Sequence, residues 1–132
     1  MAIYGIGAKY ETEDVSSEFI EESVIGTGWS ENDAPDIHEY FKILEPGDIV
    51  YIKSCSYSSN ITVKGIGLVV DDEILGSSEL LEIGRNVQWL TSEWFTIEKP
   101  EKNKNNVRAN TIYREFDPEI IAQIMFEVDQ HI

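Results

Sequence analysis

Four glycine-marked segments in a fixed order constrain this chain more than anything else in it. They are "GTGWS" at 26–30, "LEPGDIVYIKS" at 44–54, "ITVKGIGLVVDDE" at 61–73 and "GRNVQWLTSEWFTI" at 84–97. Each joins glycine to a run rich in β-branched and aromatic residues, the composition of a pleated strand bounded by turns. The paired glycines Gly65 and Gly67 predict a bend or bulge of the kind that barrels use at corners. Together the segments predict a small curved or open β-barrel.

The remaining segments fit around that sheet. "AIYGIGAKY" (2–10) reads as a first strand. In the next segment Val15, Phe19, Ile20 and Val24 recur near helical spacing, with acids on the other face. "VIGTGW" (24–29) reads as a short buried strand. A second helix follows, with Asn32 or Asp33 as its cap, Pro35 in its first turn, and Ile37, Tyr40, Phe41 and Leu44 as its apolar face. "EPG" ends it. "DIVYIKS" alternates, with Ile49, Tyr51 and Lys53 on one face and Val50, Ile52 and Ser54 on the other. "SYSSN" is a turn, and the stretch 71–85 admits a strand end with a loop or a helical turn. "NVQWL", "EWFTIE" and "TIYREF" read as further strands, with a loop at "KPEKNKNN". A C-terminal helix is expected at about 118–130, capped by Asp117, opened by Pro118 and made amphipathic by Ile120, Ile121, Ile124, Met125 and Val128. The sum is one α+β domain over 1–132 with about three short helices. Helices do not alternate regularly with strands, which argues against a doubly wound sheet.

Charge restricts the partners. The chain carries 25 acids against 10 bases, a formal −15. A field of that sign repels a long duplex unless a local basic patch overrides it. Four bases, Lys99, Lys102, Lys104 and Arg108, fall within "KPEKNKNNVR", which reads as a solvated loop or as a phosphate-facing arm. Met1 to Tyr10 lacks a basic, then apolar, leader pattern, and no apolar run approaches the roughly 18 residues of a membrane span. A cytoplasmic protein is the simplest expectation, and the sequon at Asn60 carries little weight.

Chemistry is hard to assemble. Cys55 is the single cysteine, and His38 and His131 are far apart, so neither a disulfide framework nor zinc-ligand spacing exists. The serines at 54, 56, 58 and 59 have no neighbouring histidine, and "GxSxG" is absent. Cys55 could act as a nucleophile only if His38 approached it in space. Asp71, Asp72 and Glu73 read as a solvated turn, since no specified cation loop surrounds them. "GIGAKY" and "GTGWSE" lack the full phosphate-cradling glycine patterns. No catalytic residue, metal or cofactor is expected, and the chain reads as non-enzymatic.

Binding is easier to assemble. Trp29, between "GTG" and "SEND", offers an indole face worth about 1–3 kcal/mol of base stacking. The competing reading is a core tryptophan plugging one end of the barrel. Trp89 and Trp94 lie on strand candidates, where aromatics commonly pack under a covering helix. Lys53 and Arg85 adjoin the proposed pocket segments and could meet a phosphate or carboxylate, or form internal ion pairs.

The order of these segments resembles the PUA-like superfamily, in particular its EVE and YTH branches. The matching pieces are Ala8-Lys9-Tyr10, the helix at 15–24, Gly26-Thr27-Gly28-Trp29 and Gly47 to Ser54. Gly65-Ile66-Gly67-Leu68-Val69-Val70 and Gly84-Arg85-Asn86-Val87-Gln88-Trp89 complete them. The resemblance covers about residues 2–98. It implies a pseudo-barrel that recognises a modified or flipped base in an aromatic pocket and performs no reaction. It implies Trp29 as the stacking wall, Lys9 and Tyr10 at the rim, and Ser54 near the floor. The expected ligand set is therefore Lys9, Tyr10, Trp29, Lys53, Ser54, Arg85, Asn86 and Trp89. The expected guest is a nucleotide-like molecule or a single-stranded or flipped modified base. The alternative is an acidic scaffold that docks a basic protein or imitates nucleic acid.

Overall fold

The computed structural model describes residues 1–54, 60–98 and 110–132. Residues 55–59, which hold Cys55 and most of the expected turn "SYSSN" (56–60), and the basic run Lys99, Lys102, Lys104 and Arg108 lie outside the described residues. The architecture is α+β. A curled, half-barrel sheet carries the strands in the order β4-β7-β6-β5-β1-β9, and β8 also pairs with β6. In the chain these are β1 (Ile3–Gly7), β4 (Val24–Thr27), β5 (Ile49–Ser54), β6 (Ile61–Val69), β7 (Ile83–Thr91), β8 (Phe95–Ile97) and β9 (Ile112–Arg114). β1 and β5 run parallel; the other pairs are antiparallel.

The nine-residue β6 explains the curl. Its start pairs with β8 and its end with β7, while β5 runs along its other edge. Register shifts fall between Ile66 and Gly67 on one side and between Ile52 and Lys53 on the other. The glycine pair therefore marks the irregularity that the sequence predicts there. A Cβ on Gly67 would lie 2.9 Å from both the Gln88 carbonyl oxygen and the Trp89 ring. Only glycine lets β7 carry that indole across β6.

Three helices cover the sheet: α1 (Ser16–Glu22), α2 (Pro35–Ile43) and α3 (Pro118–His131). α3 packs Ile120, Ile124 and Val128 against Ile49, Tyr51 and Val63. α2 packs Phe41 against Val50, Val69 and Val87, and α1 packs Phe19 against Ala8, Ile52 and Leu81. The β5 alternation is real, but both of its faces are buried, because helices lie on both sides of the curled sheet. Asp117 caps α3 as its sequence predicts, accepting from the Glu119 and Ile120 N–H groups.

Three expectations need correction. The first strand breaks after Gly7, and Lys9–Tyr10 (β2) forms a separate hairpin with Glu13–Asp14 (β3). The cap of α2 is Ala34, not Asn32 or Asp33. Asp33 instead donates its N–H to Ser30 Oγ in the preceding turn, and no side chain caps the helix. Trp94 is not core. It is 63% exposed, with the Lys64 ammonium 4.8 Å from its ring centre.

Candidate functional site

The β2–β3 hairpin, the end of β4 and the ends of β1 and β5 enclose a cavity of about 640 Å³. That is within the roughly 300–1,000 Å³ of small-molecule sites. Lys9, Tyr10, Trp29, Lys53 and Ser54 all line it, joined by Thr27, Lys64, Thr111 and the acids Glu11, Glu13 and Asp14. Burial divides this lining into two levels. Ala8, Thr27, Ile52 and Lys53 are buried and make the floor; Lys9, Glu11, Glu13, Asp14, Trp29 and Ser54 are exposed and make the rim. Ser54 thus stands at the rim rather than the floor, because β5 leaves the covered part of the sheet at that residue.

Trp29 is 55% exposed, so it is no interior plug. Its main chain is nonetheless fixed. The Trp29 N–H donates to Thr27 Oγ1 at 3.2 Å, and buried His38 reaches the Trp29 carbonyl with Nε2 at 2.6 Å. A carbonyl accepts only, so His38 carries its proton on Nε2. A side chain on α2 thereby sets where the indole stands.

Tyr10 is a second aromatic residue of the lining. Its ring lies against Gly28, where an added Cβ would touch it at 3.4 Å, and edge-on to Phe19 at 6.3 Å between ring centres. Its hydroxyl donates to the Leu80 carbonyl at 2.9 Å, and burial pushes its pKa up to about 12. Lys64 pairs with Asp14 Oδ2 and ties the hairpin to β6. Burial pushes the Asp14 pKa up. Hydrogen bonds from Lys64 and Ser16, with the Lys64 charge, outweigh that effect and hold it below the ordinary value.

Three of the eight expected residues lie elsewhere. Arg85 is 1% exposed, and its guanidinium donates to the carbonyls of Phe41, Leu44 and Asp71. It ties the end of α2 to β7 and does not face the cavity. Asn86 donates to the carboxylates of Asp71 and Glu73 on the adjoining turn. Trp89 donates its indole N–H to the Phe19 carbonyl at 3.0 Å and packs beside Ile20 and Val87, as a strand aromatic under a helix should. All three sit on β7, which borders β4 along its length, whereas the cavity opens beyond the end of β4.

No protein-family model matches this chain, and no curated protein matches it.

The residues that the sequence reading missed reach the cavity in different ways. Lys64, Glu13 and Asp14 carry no motif of their own; the separate hairpin brings the two acids to the cavity, where Asp14 meets Lys64 of β6, while Thr27 lies in the glycine-tryptophan segment without having been singled out. The polar run "KYETED" with Glu11 in left-handed backbone (φ 56°) was the available signal for that turn. The lining holds three lysines and three carboxylates, an even balance in a chain of net −15. Among the described residues no group of three or more metal-ligating side chains occurs, and no helix is long and apolar enough to cross a membrane.

Proposed function

We propose that this protein is a binding module that accepts a base or nucleotide-like ligand in the cavity beside Trp29, without transforming it. The observation that carries this reading is a half-exposed indole, held by its own backbone contacts, at the mouth of a cavity large enough for a nucleoside. Trp29 stacks on the flat ring, and Tyr10 supplies an apolar wall opposite Gly28. Lys9 at the rim meets a phosphate if one is attached. The even local charge removes the repulsion that the outer surface would impose on an anionic guest. A modified base fits the same site, as the PUA-like resemblance suggests, and a free or single-stranded ligand avoids the few kcal/mol of extrusion from a duplex. A cytoplasmic setting belongs to the same proposal.

A thermal-shift series with nucleosides, nucleotides and short single strands tests it. A ligand at 100 times its dissociation constant stabilises the fold by about 2.7 kcal/mol. Trp29→Ala should cut that stabilisation to about 1 kcal/mol or less at the same ligand concentration while leaving the unliganded melting temperature nearly unchanged. No shift with any of these ligands would reject the reading.

One observation favours a second reading. Outside the cavity, Lys42 and Arg114 are the exposed bases among the described residues, so the outer surface that those residues form is strongly acidic. That surface suits a basic protein partner, with the sheet as scaffold. Salt-sensitive capture of a basic protein that survives Trp29→Ala would support it.

A further inference from the structure

Trp94 lies outside the core and outside the cavity lining, and at 63% it is the most exposed tryptophan of the chain. Lys64 connects it to the cavity. The pairing of β6 with β5 steps from Gly65 opposite Ile52 to Val63 opposite Lys53. Lys64 is therefore the extra residue of a bulge, a feature that re-aims a side chain. That side chain walls the cavity and pairs with Asp14, while its ammonium lies 4.8 Å from the Trp94 ring centre. One lysine thus stands between the cavity and an indole that is otherwise largely open to solvent. The sheet beside it carries hydroxyls. Thr62 of β6 stands opposite both Ser54 of β5 and Thr96 of β8, and directly opposed residues share a face. Ser54 belongs to the cavity rim and Thr96 is exposed. Trp94 shares the Thr96 side, because Phe95 between them packs against the α3 core. A row of three hydroxyls therefore runs from the rim, across β6, to the strand that carries the indole.

Resting on the Trp29 cavity reading above, we infer that the site takes two linked nucleotides rather than one. The first base enters the cavity beside Trp29. The second stacks on the open surface of Trp94, and the joining sugar and phosphate pass over Ser54, Thr62 and Thr96. Single apolar side chains on a surface are normal; what singles Trp94 out is its ring contact with a residue of the cavity wall. Stacking on an aromatic side chain tolerates any base, so the second position adds affinity without reading sequence. Serine and threonine hydroxyls are ordinary partners of sugar and phosphate. Lys64 stays committed to Asp14 and to the Trp94 ring, and the second position asks no further contact of it.

Calorimetric titration with the dinucleotides ApA, CpC, GpG and UpU tests this, each set against the same molecule with an abasic residue in place of either base. Charge and backbone are then constant, and one ring is removed. For at least one of the four, the dinucleotide should bind the wild-type protein about fivefold or more tighter than either abasic form. Trp94→Ala should bring that dinucleotide to within about twofold of its better abasic form, while the free nucleoside keeps its wild-type affinity to within about twofold. Circular dichroism checks the fold of the variant, and the wild-type series stands without it. A dinucleotide no tighter than its abasic forms, or a gain that survives Trp94→Ala, overturns the inference while leaving a Trp29-dependent cavity intact. An equal loss of nucleoside and dinucleotide affinity in Trp94→Ala also overturns it, since the indole would then act only by holding Lys64. Failure of every nucleoside and dinucleotide to bind removes the cavity reading itself.

Discussion

Lys53 and Arg85 are both buried cations on inner strands of one sheet, yet they stand in opposite kinds of place. Around Arg85 the end of α2 and the turn after β6 turn three carbonyls inward, and the fork of the guanidinium meets them. Around Lys53 the strands are ending, the hairpin has lifted away, and the ammonium borders a cavity. One end of the sheet spends its cation on holding elements together; the other leaves room for something to enter. Burial of a cation therefore does not by itself tell a joint between elements from a cavity wall.

The sharpest way to break that contrast is Arg85→Met. It strands three carbonyls near the end of α2 and should cost about 3 kcal/mol or more in urea-denaturation stability. If the folded fraction binds nucleoside normally, Arg85 belongs to the joint alone. Trp29→Ala should do the reverse. It should weaken nucleoside binding by about 2 kcal/mol in calorimetric titration, with a stability change under about 0.5 kcal/mol.

Tyr51 tests whether the two regions communicate. Its hydroxyl donates to Glu115 at 2.7 Å, so the Tyr113 hydroxyl 2.8 Å away is the donor to Tyr51. Burial, with Tyr113 and Glu115 alongside, pushes the Tyr51 pKa far up and keeps it neutral. Tyr51→Phe should cost about 1.5 kcal/mol of stability. Because Lys53 lies over Tyr113, a simultaneous loss of nucleoside affinity would show that this network also positions the cavity floor.

The smallest effect is expected at the hairpin tie. The folded-state pKa of Asp14 is lowered, so its contribution is present above its unfolded value near about 4 and is lost as pH falls through the folded value. The carboxylate is partly exposed, which limits the contribution to about 0.5 kcal/mol. Asp14→Asn should remove that acid-side dependence in pH-resolved melting curves, and it should raise proteolytic cleavage within 9–14 if Lys64 is the tether.

Most strands were legible because their signals are local: β-branched runs, turn glycines and the period of two. The C-terminal helix was equally legible, since Asp117, Pro118 and the isoleucine stripe are read within one segment. The α2 cap was misread because both Asn32 and Asp33 are good capping residues by type, and only the path of the preceding turn selects Ala34. Trp94 and Trp89 look alike in sequence, five residues apart, Trp89 on β7 and Trp94 in the link to β8. Trp89 crosses β6 at Gly67 and Trp94 lies beyond the covered sheet.

The sequence by itself determined the sheet, its bulge, the three helices and the presence of an indole between flexible segments, because each depends on neighbours in the chain. The tertiary structure alone decided which of the expected ligand residues share a cavity. Lys9, Tyr10, Trp29, Lys53 and Ser54 meet there, while Arg85, Asn86 and Trp89 are claimed by carbonyls and carboxylates from other elements. A side chain's role follows from which distant backbone groups reach it first, and that is a property of the closed sheet.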